Sequence, residues 1–366
     1  MKRRLLSRLH PSYVRAGLRA SGTASDLRRL RVGIARARAG YRPARSSQSG
    51  ATGLRILAHL PTYVPYSFGG SESSMQATLA FLCRQGHEAR VIVDDSPVSS
   101  YAVDGIDVVA QPSRREMRDL YRWAGIVLTQ GRSALGSFMR AVSVDTPVVL
   151  FIRDIADWQR LPSPPHLVVF NAEWQMHAMH YPGVSIVVHS PIEADRYMTT
   201  AGDRVTLINL NERKGGRLFH DLVDRMPDVA FLAVAGVWGE QVLPRAAPHN
   251  LEIVQRQIDV REIYSRTRIL LIPSKWESFG RVAVEAGISG IPVIASPNPG
   301  TIEAMGSSAL YASLTDLDEW IQAIRSLDDP ITYATRSAAV AHAAGRFTGS
   351  IELLSLEENL KKLANR

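Results

Sequence analysis

Two glutamates eight positions apart, Glu277 and Glu285, bracket a small loop in "SKWESFGRVAVEAGISGIPVIAS" (274–296). If "RVAVEAGISG" is a helix, Glu285 lies about one and a half turns inside it, and Glu277 stands just before its N-terminus. Eight residues at the helical rise span at most about 12 Å. That interval suits a ligand lying along the helix start, with a diphosphate on the unpaired backbone N–H groups and hydroxyl-bearing rings at either end. Helix N-termini favour anions, and carboxylates accept hydrogen bonds from sugar hydroxyls. The pair fits a nucleotide-sugar better than two carboxylates flanking one scissile bond. Taken alone, such a pair is ordinarily two surface glutamates on an exposed helix, so its surroundings decide.

Those surroundings are a regular alternation. From residue 54 the chain runs through the apolar stretches "LRILAHL", "ARVIVD", "GIDVVAQ", "GIVLTQ", "PVVLFI", "LVVF" and "SIVVHS", with amphipathic segments such as "SESSMQATLAFLCRQG" between several of them. After residue 203 a second series begins: "VTLIN", "VAFLAVAG", "LEIVQ", "RILLIP" and "PVIAS". Runs this apolar are buried on both faces, which predicts parallel sheets covered by helices. Two series predict an α/β protein of two Rossmann-like, doubly wound domains facing a cleft, and such clefts bind nucleotides at the C-terminal ends of strands. The expected domains are 54–200 and 201–346, followed by a last segment, 347–366, that returns to the first domain.

Composition agrees with an enzyme rather than a disordered chain: 366 residues, 45% hydrophobic and 21% charged. The single cysteine, Cys83, excludes an internal disulfide framework and a multi-cysteine metal site. The net charge of +8 is uneven. Residues 1–50 hold 13 Lys/Arg against Asp26 alone, +12 in that stretch, which leaves −4 for the remainder. Residues 1–53 read as a basic tail ending in the linker-like "RPARSSQSGATG", with a short amphipathic helix expected over 25–40. A solvated tail, contact of residues 1–45 with an anionic membrane or nucleic acid, and a targeting peptide are all open readings. No apolar run approaches the roughly 18–20 residues of a membrane span, and no secretory signal is evident. The expected location is cytoplasmic, with peripheral membrane contact as an option.

The ordered set "RILLIPSKWESFGRVAVEAGISGIPVIASPNPGTIEAM" resembles the signature of retaining family-4 glycosyltransferases of the GT-B fold, the "glycosyl transferases group 1". Upstream, "VTLINLNERKGGRLFHDLVDRMPDVAFLAVAG" looks like the same family's donor-phosphate segment, with "K-G" at a helix start. The resemblance is close over about 165 residues of the C-terminal half. It implies a sugar passing from a nucleoside diphosphate, UDP or GDP, to an acceptor hydroxyl with retention at the anomeric carbon. It implies Glu285 on the ribose hydroxyls, Glu277 on the transferred sugar beside the backbone amides of Ser278, Phe279 and Gly280, and Lys214 on the diphosphate. A cation facing a departing pyrophosphate stabilises the charge that develops there. No cofactor and no divalent metal are expected, and a leaving-group oxygen would itself take the acceptor proton.

Two departures from the pattern stand out. The family arginine five or six residues before the lysine is replaced by Ile208 and Asn209, with Arg213 adjacent to Lys214. Either Asn209 donates a neutral hydrogen bond or phosphate binding is weaker than usual. Where the family carries "H-D" after a strand, this chain has Arg153-Asp154. The arginine would reach a phosphate or an acidic acceptor; the aspartate would orient an acceptor hydroxyl or pair with Arg153.

In the N-terminal half, "PTYVPYSFGGSESS" resembles the family's Gly-Gly loop, and Gly69 and Gly70 would let the backbone approach a phosphate or sugar closely. Glu72 reads as a first-turn helix residue, with an acceptor-side role as the second option. "VVFNAEW" resembles the re-entry into the cleft and suggests Asn171 on the acceptor side.

His177 and His180 have helical metal-ligand spacing without an evident third ligand. The absence of a P-loop and of a convincing G-x-G-x-x-G argues against an ATPase or a dehydrogenase. The acceptor, whether glycan, lipid, protein or modified DNA, is not readable from these motifs. A donor-binding relative without turnover, using its tail as a scaffold, remains the alternative.

Overall fold

The computed structural model describes residues 53–153, 161–236, 239–244 and 248–365. The basic tail with its expected helix, and Asp154, lie outside the described residues.

The first half contains β1 (Arg55–Leu60), α1 (Gly70–Arg84), β2 (Glu88–Val93), β3 (Ser100–Val103), β4 (Ile106–Ala110), α2 (Arg114–Trp123), β5 (Ile126–Gln130), α3 (Ala134–Val142), β6 (Val148–Ile152), β7 (Leu167–Phe170), α4 (Glu173–Met179) and β8 (Ser185–Val187). Its eight strands form one sheet in the order β3-β4-β2-β1-β5-β6-β7-β8, parallel throughout except for the β3–β4 hairpin. The second half contains β9 (Arg204–Ile208), α5 (Gly216–Arg225), β10 (Phe231–Ala235), β11 (Leu251–Gln255), α6 (Arg261–Tyr264), β12 (Thr267–Ile272), α7 (Arg281–Ile288), β13 (Val293–Ala295), α8 (Pro299–Met305), β14 (Leu310–Tyr311), α9 (Leu317–Ser326), α10 (Pro330–Gly345) and α11 (Ile351–Ala364). Its six strands are ordered β11-β10-β9-β12-β13-β14, all parallel.

The two-sheet α/β expectation therefore holds, and for the reason given by the sequence pattern. Strands such as β5 and β6 are buried at every position, because helices cover both faces. Helix boundaries follow capping chemistry. Ser113 and Glu116 form a capping box at the start of α2, and Asp329 caps α10, whose first residue is Pro330.

In each sheet the order of strand addition reverses, between β1 and β5 and between β9 and β12. At such switch points the loops beyond the strand ends part and leave a crevice. The two crevices face one another. The last helix, α11, packs on the first domain: Leu353, Leu356, Leu360 and Leu363 share a core with Ile56, Met75 and Val91. Its Glu357 meets His87, whose other ring nitrogen accepts from the Leu54 N–H, tying α11 to the entry of β1. Among the described residues no helix is long and apolar enough to cross a membrane.

Candidate functional site

The C-terminal wall of the cleft is built at the β9/β12 switch point. The loop after β9 carries Lys214, and the loop after β12 carries Glu277. They meet because the two loops press together at Gly215, which has φ +84 and lies so close to Pro273 that a Cβ would sit 2.2 Å from its carbonyl oxygen. Only glycine satisfies both demands. Lys214 Nζ forms an ion pair with Glu277 Oε1, and Ser274 Oγ donates to the same oxygen at 2.6 Å. Glu277 Oε2 has no partner among the described residues. The wall thus offers a cation and an open carboxylate oxygen side by side.

Gly280, at φ +77, turns the chain into α7 so that the helix start opens on the cleft. Glu285, its fifth residue, is buried and bonded through both oxygens. Arg281 Nε donates to Oε1 at 2.7 Å, and Tyr264 Oη donates to Oε2 at 2.8 Å. Burial opposes the charge on Arg281, yet Tyr197 and Glu285 beside it push its pKa up. Burial and Glu285 likewise push the Tyr264 phenol well above its ordinary value. The other Arg281 nitrogens donate to the Pro191 carbonyl at 2.9 Å and Tyr197 Oη at 2.7 Å, so this side chain also anchors the crossover between domains. A carboxylate has about four lone-pair sites; Glu285 uses two internally and still lines the cavity.

The cavity between the domains encloses about 790 Å³, the size of a drug-like or nucleotide ligand. Lys214, Glu277, Ser278, Phe279, Gly280 and Glu285 all line it.

With that geometry in view, comparison with known proteins is direct. Residues 205–329 match the family model described as glycosyl transferases group 1. The D-inositol 3-phosphate glycosyltransferase of Mycobacterium sp. (strain KMS) is 27% identical over 231 residues, 53% of this chain and 51% of that protein. The Corynebacterium kroppenstedtii protein of the same name is 40% identical over 91 residues, 24% of this chain and 20% of that one. The chain spans about half the length, or less, of the curated relatives it matches. Among solved structures, Anabaena Alr3699/HepE in complex with UDP-glucose superposes with a TM-score of 0.68 at 15% identity, covering 85% of this chain and 99% of that one. Sucrose-phosphate synthase from Thermosynechococcus elongatus gives 0.66 at 14% identity, covering 84% and 99%. The fold is GT-B, and residues 205–329 are similar to the group 1 glycosyltransferases.

The N-terminal wall of this GT-B cleft is less charged. Gly69 and Gly70 line it at the start of α1, and Gly70 lies opposite Arg281, whose Cδ would be 3.5 Å from an added Cβ. Glu72 does not line the cavity. It is buried beneath the loop, accepting from Thr62 Oγ1 and Ser71 Oγ, each at 2.7 Å. Arg153 lines the cleft and donates through Nε to Gln130 Oε1 at 2.9 Å.

Asn171 reaches across the domains. Its Nδ2 donates to Ser278 Oγ at 3.3 Å, while its buried Oδ1 has no partner among the described residues. An open amide oxygen beside Ser278 suits a ligand hydroxyl as well on the donor side as on the acceptor side.

Two sequence candidates near Lys214 are placed differently. Arg213 is exposed and forms no part of the cavity wall, so it does not stand in for a phosphate-binding arginine. Asn209 lines the cavity at φ +74; its Oδ1 accepts from Asn211 Nδ2 at 3.0 Å and Gln241 Nε2 at 3.2 Å, which leaves its Nδ2 as a neutral donor.

Sequence reasoning did not single out Arg281, Tyr264 or Tyr197, which hold Glu285, nor His189 at the hinge. His189 joins three elements. Its Nε2 meets Glu303 of α8 at 2.6 Å, and its Nδ1 meets Glu352 of α11 at 2.7 Å. Burial lowers its pKa, but the two carboxylates outweigh that and raise it to about 9. Glu303 in turn accepts the Glu173 and Trp174 N–H groups at the start of α4, and Trp174 Nε1 donates to the Ser278 carbonyl at 2.7 Å. The hinge and the Glu277–Ser278 loop are therefore one connected network. Among the described residues no group of three or more His, Cys, Asp or Glu side chains is placed to hold a metal.

Proposed function

We propose that this protein transfers a sugar from a nucleoside-diphosphate sugar to an acceptor hydroxyl, with retention of anomeric configuration and without a divalent metal. The donor lies along the start of α7. Glu285 takes the ribose hydroxyls with its spare lone pairs, Glu277 and the amides of 278–280 take the sugar, and Lys214 faces the diphosphate. The observation that carries this reading is the convergence of Lys214 and Glu277, 63 positions apart in sequence, on one cavity at the switch point of a parallel sheet.

As the bond from the anomeric carbon to phosphate breaks, the leaving diphosphate gains charge beside Lys214 and the N–H groups of α7, which stabilises it where the charge forms. A leaving oxygen takes the acceptor proton, so no dedicated protein base is required. Uridine and guanine are the proposed donor bases, supported for uridine by the UDP-sugar held by one protein of this fold. The acceptor is a hydroxyl on a glycan, lipid, protein or modified DNA. The proposed place of action is the cytoplasm, with residues 1–45 as a contact for an anionic membrane or nucleic acid.

The reading is tested by incubating the full chain with UDP-glucose, UDP-galactose, GDP-mannose and ADP-glucose and following nucleoside-diphosphate release, with the anomer formed read by NMR. Release that is lost in Lys214→Met and gives the retained anomer supports it. Donor binding with no release, even with a mixture of cell-envelope lipids and glycans as acceptors, would indicate a binding protein without turnover.

A further inference from the structure

Among the described residues, six cationic side chains line the cleft: Arg153, Arg196, Lys214, Arg256, Arg261 and Arg281. Five of them have polar partners within the fold. Arg153 donates to Gln130, Arg196 pairs with Glu193 and Asp104, Lys214 with Glu277, Arg261 with Asp259, and Arg281 with Glu285. Arg256, just beyond β11, has neither a hydrogen bond nor an ion pair among the described residues. Its guanidinium carbon lies 5.0 Å from the ring centroid of Phe68, which belongs to the Gly69–Gly70 loop of the other domain.

A half-buried arginine without a counter-ion is an unusual arrangement. Removing a guanidinium from water costs free energy unless hydrogen bonds or an opposite charge compensate, and a cation–π contact returns only about 0.5–2 kcal/mol. Burial lowers the Arg256 pKa while Glu285 and Glu72 act in the opposite direction, and the group remains a cation at neutral pH. The neighbouring wall cannot supply its charge. Asn209 is neutral and bound in its amide cluster. Across the cleft stands the start of α1, whose Gly70 faces Arg281. Arg256 therefore stands against the Phe68 ring of the loop that leads into α1, near enough to Glu285 for that carboxylate to favour its charge, in a space whose other lining cations already have partners.

We propose that Arg256 is an anion-binding side chain of the cleft and that it grips the diphosphate of a nucleoside diphosphate, leaning on Phe68 until the ligand arrives. This rests on the reading of the cleft as a donor site. It also answers the question raised by Asn209, since a cation at the end of β11 replaces one missing at the end of β9. Five donors in a planar fork suit two phosphate oxygens at once, and the Phe68 ring fixes the plane of that fork beforehand.

The experiment uses calorimetry on the full chain with UDP, GDP, ADP and dTDP, and with the corresponding nucleosides, for wild type, Arg256→Gln and Arg256→Lys. The expected result is that the glutamine variant weakens the diphosphate that wild type binds by about 10- to 100-fold, the range for a hydrogen bond to a charged group. Its nucleoside affinity stays within about twofold, because an uncharged ligand does not use the arginine. Diphosphate affinity equal to wild type in Arg256→Gln overturns the proposal and leaves the donor reading intact. Wild type that binds none of the four diphosphates overturns the donor reading and this proposal with it. If the glutamine variant loses nucleoside affinity as well, the lysine variant decides. Diphosphate affinity within about tenfold of wild type supports a role for charge, and complete loss overturns it.

Discussion

Across the cleft, the C-terminal wall brings charges from separate loops onto one surface: Lys214 after β9, Arg256 after β11, Glu277 after β12, and Arg281 with Glu285 on α7. The N-terminal wall offers Gly69, Gly70, the Phe68 ring, the Asn171 amide, an arginine already bonded to Gln130, and Arg196 already paired with Asp104 and Glu193. On the proposed function, the difference follows what each wall must do. A diphosphate and a ribose have fixed charge and hydroxyl geometry, so the surface that holds them is chemically determined. The surface toward the acceptor need only admit it. Residues 205–329 match a family model, while the chain as a whole shares its fold with a solved structure at 15% identity.

The comparison can be broken at several points. Glu285→Ala has the largest expected effect on the fold: it strands the nearly buried Arg281 charge and should cost about 3–5 kcal/mol, read as a lower denaturation midpoint at unchanged m-value. Glu285→Gln, which keeps the shape and one acceptor oxygen for Arg281, should cost less. Equal losses would mean that charge rather than packing holds this wall. Lys214→Met should lower kcat by about 10²–10³, the scale for removing one stabiliser of developing charge, with a smaller loss of stability than Glu285→Ala, because Lys214 is 32% exposed and Ser274 still donates to Glu277.

The hinge should respond to pH. His189 has a folded-state pKa of about 9, above its ordinary 6.5. Its contribution to stability is therefore fully present below about pH 6.5 and is lost as pH rises through 9. After allowance for half-exposed Glu352, the fall should be on the order of 1–2 kcal/mol. His189→Gln should flatten this part of the stability–pH profile. The smallest change is expected on the N-terminal wall. Arg153→Gln should move donor affinity by less than about threefold, within the roughly 0.5 kcal/mol typical of substitutions outside a buried network. A larger loss would place the diphosphate against the wrong wall.

Much of this arrangement was legible in the sequence, but unevenly. Apolar runs such as "PVVLFI" declare doubly covered strands, because only burial on both faces tolerates them. The ordered signature around Glu277 and Glu285 located one wall of the cleft. Their partners were not visible in the same way. Arg281 and Arg256 look like any charge in a surface loop or helix start, since local sequence does not record which side chains lose water. His189, Glu303 and Glu352 are separated by 114 and 163 positions, so only tertiary structure joins them. Glu72 does stand in the first turn of α1, where Thr62 and Ser71 hold it under the loop and away from the cavity. Arg213 sits beside Lys214 in sequence, but successive residues of a short turn point in different directions, and it ends outside the cavity.

The most direct test of the account is thermal stabilisation of wild type and Glu285→Gln by UDP-, GDP-, ADP- and dTDP-sugars without added metal. The account predicts that one nucleotide series raises the wild-type melting temperature, by mass action on the folded state, and that the shift, taken against each protein's own unliganded melting temperature, shrinks strongly in the variant. Equal shifts in both proteins, or no shift with any donor, would contradict it.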